Sequence, residues 1–281
     1  MTLSNYIKDW DKTIASLFQK SPAAKYWGVS VQTDFIPEPF IGDPDNCSFV
    51  IVNLNPGAGT CHSCFKKQNI SDTLIHKVKT NGYSKAVKDF PYLRNGAAVG
   101  LIDWNNSPGR KWWKSRERWI KHILNAFNPS YNPLDPIPDC CYPFAMELFA
   151  WHTDTWPRTL NNKMKKGEAY GANVYNDVFM PLYEAIKKSK CKTAFCVGKP
   201  IGEIIDSFNL FTKTNSVHIP HVNGNTRDYE IYQDGKGCYI VTTWAQGGNY
   251  CPDKEFEDEE KKMIQDIIKQ ISASGVNPCY P

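Results

Sequence analysis

Four short apolar runs punctuate the chain and predict buried strands. They cover residues 49–52, 144–151, 192–197 and 239–243. Continuous apolar runs rich in β-branched residues are typical of strands that are buried on both faces of a parallel sheet. Stretches with helical periodicity or helix signals cover residues 3–20, 110–127, 174–190, 201–208 and 253–272. The alternation predicts an α/β fold of three layers, α/β/α, with a central, mainly parallel, four-stranded sheet.

The polar stretches between these elements predict loops rather than domain boundaries. Residues 28–47, 93–109 and 128–138 are punctuated by glycine, proline, asparagine or aspartate, which favour turns. Residues 215–236 predict a short strand or a hairpin. We find no internal repeat and no dividing linker, so we predict one α/β domain over residues 1–281 with its core at about 37–270.

Composition narrows the class of protein without identifying it. Hydrophobic residues make up 41% of the chain and charged residues 22%, which is typical of a globular protein. Mean hydropathy is -0.48, and no apolar run reaches the 18 residues of a membrane span. The first residues lack the basic and apolar regions of a signal peptide. We therefore expect a cytoplasmic protein that is a monomer and has no membrane partner.

Ten cysteines raise the question of disulfides or a metal. Without a secretion signal, we expect mostly reduced thiols. Cys61 and Cys64 form the one pair with the spacing of metal ligands, and a zinc or iron–sulfur site would need two more. No second pair of that spacing follows, so we predict neither a metal nor another cofactor.

The first apolar run ends in a segment suited to ligand binding. The sequence SFVIVNLNPGAG changes from β-branched residues to Asn55, Pro56 and Gly57. In open α/β sheets, ligands bind in the crevice at the carboxyl ends of the strands. Glycine there allows close backbone approach, and Asn55 can both donate and accept hydrogen bonds. The alternative is a tight turn with no chemical role.

These residues resemble the first motif of the uracil-DNA glycosylase superfamily. The Asn55-Pro56-Gly57 sequence after a buried strand is closest to the mismatch-specific and single-strand-selective branches. The lead-in at residues 37–44 also resembles uncharacterised members. The resemblance implies a uracil-DNA glycosylase-like fold and an enzyme that flips a nucleotide and hydrolyses its N-glycosidic bond. It also implies that Asn55 is a catalytic residue, which orients water because an amide is a poor base.

The second apolar run supplies predicted base-binding residues. The resemblance implies a base-reading side chain near the end of this strand, and Glu147 is the candidate, with Gly57, Trp151 and His152 nearby in the predicted pocket. An ionised carboxylate only accepts hydrogen bonds, so it suits the amine of cytosine better than the carbonyl O4 of uracil. The alternative is a strand-end glutamate that pairs with a lysine or faces water.

The fourth apolar run ends where the family's second motif is expected. That motif normally begins with a histidine, which is absent here; Gln246 is the predicted catalytic replacement that donates to the leaving base. Gly247 and Gly248 are predicted to approach a DNA phosphate and Tyr250 to fill the space left by the flipped base. His218 or His221 are alternative sources of the missing histidine. The missing motif residue also favours a protein that binds without hydrolysis.

A basic segment predicts DNA as the partner. Residues 110–118 hold five cations against one acid, with two tryptophans between them. Arg110, Lys111 and Lys114 are the predicted DNA-binding residues, because cations neutralise phosphates. The alternative is a cationic amphipathic helix with Trp113 buried. The acidic run at residues 255–260 would repel DNA, so we place that helix on a far face.

The sequence therefore predicts a DNA glycosylase, and it leaves two rivals. The departures at Glu147 and at the second motif give the hypothesis that the target is a modified cytosine in phage DNA, excised as host defence. A binding module of the same fold, without hydrolysis, is the first rival, and a uracil or mismatch repair glycosylase is the second. A hydrolase of free nucleosides or nucleotides would not need the basic segment.

Overall fold

The structure is a computed structural model that describes residues 1–57, 59, 61–89, 108–220, 226–243 and 257–272. Nine strands lie in this part of the chain: β1 (Lys25–Tyr26), β2 (Val29–Ser30), β3 (Phe40–Ile41), β4 (Val50–Asn53), β5 (Phe144–Glu147), β6 (Thr193–Cys196), β7 (Thr212–Pro220), β8 (Thr226–Gln233) and β9 (Tyr239–Thr243). The α-helices of the same part are α1 (Leu3–Leu17), α2 (Leu74–Asn81), α3 (Tyr83–Val87), α4 (Pro108–Phe127), α5 (Thr159–Lys163), α6 (Gly171–Val174), α7 (Met180–Lys188), α8 (Lys199–Asp206) and α9 (Glu257–Ser272). Strands alternate with helices along the chain, so the predicted α/β class is confirmed.

The main sheet has seven strands rather than the predicted four. Their order is β3-β5-β4-β6-β9-β8-β7. The four predicted strands, β5, β4, β6 and β9, are neighbours in that order. β4 pairs parallel with β6, and β6 pairs parallel with β9. All four residues of β4 and of β6 are buried, as continuous apolar runs require.

Three antiparallel strands extend the sheet at its two edges. β3 pairs with β5, while β8 pairs with both β9 and β7. The β7–β8 hairpin confirms the strand or hairpin predicted at residues 215–236. β3 has only two residues, which is too short to give a periodic signal.

The helix predictions agree with the structure except at the helix ends. α1 begins after Thr2, whose side chain accepts a hydrogen bond from the backbone N–H of Asn5. α2 begins after Thr73, whose side chain accepts a hydrogen bond from the backbone N–H of His76. The predicted helix at residues 174–190 consists of α6, a π-helical segment at Tyr175–Phe179, and α7. The three-layer stacking stays a prediction.

The chain forms two compact units, each made of three segments. The first unit comprises Met1–Asp43, Asn53–Trp113 and Ala145–Glu184. In its core, the Phe40 ring lies edge-on to Tyr83 at 5.2 Å, and the Tyr83 hydroxyl donates to the backbone carbonyl of Phe40. The second unit comprises Pro44–Val52, Lys114–Phe144 and Ala185–Pro281. Its core packs Phe195 between Phe49 and Trp119, at ring distances of 5.4 and 5.6 Å.

Four sequence-based predictions concern the chain as a whole. No helix in the described ranges is long and apolar enough to cross a membrane. One domain, a monomeric state and a cytoplasmic location stay predictions.

Candidate functional site

The Asn-Pro-Gly turn follows β4 directly and lies beside the segment that follows β5. Leu148 N donates to Asn53 O, and Phe149 N donates to Leu54 O, both at 2.9 Å. These bonds advance in the same direction along both segments, so the two run parallel. Both segments belong to the first unit. The turn and the end of β5 therefore lie side by side.

The carbonyl of Gly57 is held by two donors from the segment after β5. Thr153 N–H donates to it at 3.1 Å, and His152 Nδ1 lies 3.1 Å from it. Because a carbonyl oxygen only accepts, His152 carries its proton on Nδ1 in this contact. Gly57 has a φ of 74°, which favours glycine at this place in the turn. We call this arrangement of His152 and Thr153 on Gly57 the turn clamp.

A carboxylate lies behind the turn clamp. Nε2 of His152 lies 3.4 Å from Oε1 of Glu38, and only 2% of the histidine surface is exposed. This contact is longer than a hydrogen bond, so Nε2 is buried without a hydrogen-bond partner among the described residues. The predicted base-binding residue His152 thus has both ring nitrogens directed at protein atoms. Its observed role is to hold the turn.

Asn55 lies in the turn, and among the described residues the nitrogen of its side-chain amide is hydrogen-bonded while the oxygen is not. Its Nδ2 donates to the hydroxyl of Thr153 at 2.9 Å. The side chain is half-buried, and in the described part of the chain no other side-chain hydrogen bond of Asn55 occurs. Its Oδ1 is therefore available as an acceptor for a water proton. The Thr153 contact fixes the orientation of the amide, which a water-positioning residue requires.

Glu147 ends β5 and pairs with Asn53, the last residue of β4. Asn53 Nδ2 donates to Glu147 Oε1 at 2.8 Å. Oε2 of Glu147 and Oδ1 of Asn53 are buried and have no hydrogen-bond partner among the described residues. The alternatives of a lysine partner or a solvent-facing glutamate are therefore wrong, since Glu147 is only 7% exposed and pairs with an amide.

The environment of Glu147 favours its neutral form. Burial raises the pKa of Glu147 well above its usual value, the Asn53 hydrogen bond lowers it, and the charge of Glu38 raises it further. A neutral carboxyl can donate as well as accept a hydrogen bond. The preference for a cytosine amine, which follows from an ionised carboxylate, therefore does not follow from this geometry.

A buried tyrosine, Tyr6, adjoins Glu147. The hydroxyl of Tyr6 donates to the backbone carbonyl of Pro39 at 3.2 Å, and the same carbonyl accepts Glu147 N–H at 3.0 Å. Burial and then the charge of Glu147 raise the pKa of Tyr6. Tyr6 therefore remains a hydroxyl donor at ordinary pH.

Trp151, a predicted base-binding residue, lies in an aromatic cluster. Its ring lies 6.4 Å from Trp10 and 5.7 Å from Tyr26. The residue is 7% exposed, and its indole nitrogen is buried without a hydrogen-bond partner among the described residues. The observed contacts of Trp151 are packing contacts with neighbouring rings.

Several predicted site residues cannot be placed beside Asn55. Gln246, Gly247, Gly248 and Tyr250 lie outside the described residues, as does His221. Arg110 and Lys111 lie on α4, but their side chains, like that of His218 on β7, lie outside the description. Lys114 is exposed on α4, whereas Arg116 is buried at 1% exposure and cannot contact a phosphate. Trp113 is buried, in agreement with the amphipathic-helix alternative.

Three residues of the arrangement were not predicted: Asn53, Glu38 and Thr153. Asn53 had a signal in the sequence, because it is a polar residue at the end of a buried run. Glu38 and Thr153 carried none, since their roles depend on His152 and Asn55 from distant segments.

The described residues hold no group of three or more histidine, cysteine, aspartate or glutamate side chains that could bind a metal. Cys64 is a free thiol, and the side chain of Cys61 lies outside the description. Five further cysteines are thiols outside any disulfide, namely Cys47, Cys140, Cys141, Cys196 and Cys238, while Cys191 is disulfide-bonded.

Comparisons with protein-family models, with curated proteins and with solved structures find no match for this chain. The resemblance to the uracil-DNA glycosylase superfamily therefore depends on the motif and on the order of elements alone.

Proposed function

We propose that this protein is a DNA glycosylase-like hydrolase that flips a nucleotide and breaks its N-glycosidic bond, leaving an abasic site. The observation that carries the proposal is the half-engaged amide of Asn55. Its Nδ2 is fixed on Thr153 while its Oδ1 remains available at the carboxyl end of a buried strand. A residue that orients an attacking water needs this combination of fixed geometry and a free acceptor.

The turn clamp supports the same proposal. Gly57 follows Asn55 by two residues, and its carbonyl is held by two donors. A turn fixed at this point positions the Asn55 side chain before substrate binds. Such preorganisation lowers the barrier because little reorganisation remains during the reaction.

Glu147 is the proposed base-reading residue. When Glu147 is a neutral acid, its Oε2 hydroxyl can donate a hydrogen bond and its other carboxyl oxygen can accept one. With cytosine the partners would be N3 and the amine, and with uracil they would be O4 and N3–H. The excision of a modified cytosine in phage DNA as host defence remains one arm of the proposal. Repair of uracil or of a mismatch is the other arm, and Glu147 is compatible with both.

The decisive experiment is an excision assay on a panel of DNAs. Single-stranded and duplex substrates would carry uracil, a thymine mismatch, or plain, hydroxymethylated or glucosylated cytosine, and alkali would reveal abasic sites. Cleavage of one substrate would support the glycosylase and identify its base. Cleavage of uracil alone would overturn the phage-defence arm.

Asn55→Ala tests the residue that carries the proposal. We expect turnover to fall at least about 100-fold, comparable to the loss of a positioned catalytic contact, while DNA affinity is retained. Asn132→Ala, in a turn of the second unit, is the matched control and should retain turnover. Wild-type activity in Asn55→Ala would contradict the proposed role.

A binding module of the same fold is the second candidate. The inward direction of both His152 nitrogens favours it, because this histidine then supplies no proton to a leaving base. Salt-sensitive DNA binding without cleavage of any substrate in the panel would support the module over the hydrolase.

A further inference from the structure

An open cleft of about 310 Å³ lies beside the β1–β2 hairpin in the first unit. One wall is formed by residues 27–30 of the hairpin, and the other by residues 154–163, which include α5. Asn55, Glu147 and His152 do not line it. The cleft is therefore distinct from the Asn53–Glu147 pair, although both lie in the same unit.

The hairpin wall is formed by a two-residue turn whose tryptophan packs against neighbouring rings. Its two central turn residues, Trp27 and Gly28, have φ values of 49° and 71°, as a two-residue hairpin turn of the primed class requires. The Trp27 ring is stacked on Tyr26 at 5.1 Å and on Tyr170 at 5.7 Å. A bulky residue in the left-handed region persists only where its surroundings determine it, and such residues cluster at ligand sites.

The lining combines groups that can bind a phosphate with apolar groups that can contact a base or a sugar. Among the described residues that line the cleft, Lys163 is the one cation and Asp154 the one carboxylate. Lys163, together with the hydroxyls of Ser30, Thr155 and Thr159, suits a phosphate. Trp27, Pro157 and Leu160 supply apolar surface for a base or a sugar. The volume is at the lower end of the range for small-molecule pockets, which fits one nucleotide unit rather than a large cofactor.

Asp154 connects the cleft with the candidate site. It lines the cleft and directly follows Thr153, whose hydroxyl accepts the Asn55 hydrogen bond. Its carboxylate accepts from Gln32 Nε2, so it is held by a neutral donor. Gln32 also accepts Gly59 N–H at 2.6 Å and donates its own N–H to His152 O at 2.9 Å. The cleft wall and the turn clamp are thus parts of one hydrogen-bonded segment.

We propose that this cleft, the hairpin cleft, holds the nucleotide unit that adjoins the target nucleotide, with its phosphate on Lys163 and its base or sugar against Trp27 and Pro157. This inference rests on the proposed function, since it assigns the neighbouring unit of the same strand to a second subsite.

The first test measures the salt dependence of binding to a short single-stranded DNA. Affinity would be measured by fluorescence anisotropy with the full chain carrying Asn55→Ala, so that no turnover interferes. One phosphate contact contributes about 0.7 to the slope of log affinity against log salt for single strands. Lys163→Gln should therefore reduce the slope by about 0.7, whereas Lys85→Gln, an exposed lysine on α3 that does not line the cleft, should leave it unchanged.

The second test blocks the cleft without removing a core contact. Ser30 is exposed on β2, so Ser30→Tyr adds bulk inside the cleft, and Ser30→Ala is the matched control. Oligonucleotides would consist of the target nucleotide alone or extended by one unit on its 5′ or its 3′ side. We expect one extension to raise affinity about tenfold in the wild type and in Ser30→Ala, as a charge-assisted hydrogen bond to its phosphate does, and to have no effect in Ser30→Tyr. Thermal unfolding would confirm that the variants fold.

The outcomes separate this inference from the proposed function. Base excision together with equal salt slopes for Lys163→Gln and Lys85→Gln would overturn the hairpin cleft as a subsite while leaving the hydrolase intact. A Lys163-dependent slope without excision of any base would retain the subsite in a binding protein and overturn hydrolysis. Free thymidine 5′-monophosphate that binds as tightly as the extended strand would contradict the strand subsite, and absence of all binding would overturn both proposals.

Discussion

At the scale of single residues, Glu147 combines deep burial with a titratable group. Its folded pKa is raised, chiefly by burial, so the folded state holds a proton that the unfolded chain releases at lower pH. The protonated Glu147 therefore makes its full contribution to the free energy of unfolding of the wild type below the pKa of the unfolded carboxyl group, about 4.3. That contribution is lost as pH rises from there through the raised folded pKa.

Glu147→Gln should remove this pH dependence. Glutamine keeps the acceptor for Asn53 and cannot ionise, so the variant should gain on the wild type by about 1.4 kcal/mol per pH unit over this window. Urea unfolding at several pH values would measure the difference in the free energy of unfolding. Glu168→Gln, at an exposed position of the first unit, is the control and should follow the wild type. Parallel curves for Glu147→Gln and wild type would mean that Glu147 is ionised in the fold.

The contact between His152 and Glu38 allows a second prediction at this scale. His152→Phe keeps a ring beside Phe35, which lies 5.8 Å away, and removes one neighbour of a buried carboxyl group. Loss of one partner from a buried pair costs about 3 kcal/mol, and we expect that loss in the free energy of unfolding. A double-mutant cycle measures the coupling, because in a Glu38→Gln background the cost should fall by at least about 1 kcal/mol. Equal costs in both backgrounds would show that Glu38 does not depend on His152.

At the scale of elements, the strands and helices were predictable where one segment carries its own signal. The run at residues 49–52 predicts β4 because its apolar residues are buried on both faces. β3 was missed because two residues have no periodicity. The number of strands was underestimated because β7 and β8 were recognised as a hairpin but not as an extension of the sheet.

The candidate site was predictable only in part, for a related physical reason. Asn55 was found because it follows one apolar run, and Glu147 because it is the charged residue within another. The Asn53–Glu147 hydrogen bond joins residues 94 positions apart, and no local pattern encodes it. The pKa of Glu147, on which the proposed base reading depends, is set by burial, by that distant partner and by Glu38.

Contact between α8 and β9 in the second unit gives a prediction for element packing. A Cβ on Gly202 of α8 would lie 2.8 Å from Cγ2 of Thr242 on β9. Gly202→Ala should destabilise the protein by about 1–3 kcal/mol through overpacking, although alanine favours helices. Urea unfolding measures the change. Thr242→Ser removes the obstructing methyl group, so Gly202→Ala should cost about 1 kcal/mol less in that background. An unchanged cost would show that α8 moves away from β9 and that the methyl group is not the obstacle.

At the scale of the whole molecule, the net charge of +4 is modest, so DNA binding depends on where the cations lie. On α4, Arg116, one of the five cations at residues 110–118, is buried. The five cations counted in the sequence therefore do not act as five phosphate ligands. Lys114 is exposed on the same helix and is the described side chain that best fits the predicted role.

Lys114→Gln tests whether α4 contacts DNA. If Lys114 neutralises one phosphate of a duplex, its loss should reduce the slope of log affinity against log salt by about 0.9. Lys262→Gln is the matched control, because Lys262 is exposed on α9, whose first turns are acidic and are predicted to face away from DNA. Anisotropy titrations of a labelled duplex at several salt concentrations would give both slopes. A smaller slope for Lys262→Gln than for Lys114→Gln would reverse the assignment of the DNA-facing helix. Equal slopes for both variants and the wild type would leave α4 as an amphipathic helix whose charges are only solvated, since an exposed cation that contacts no phosphate releases no counterion.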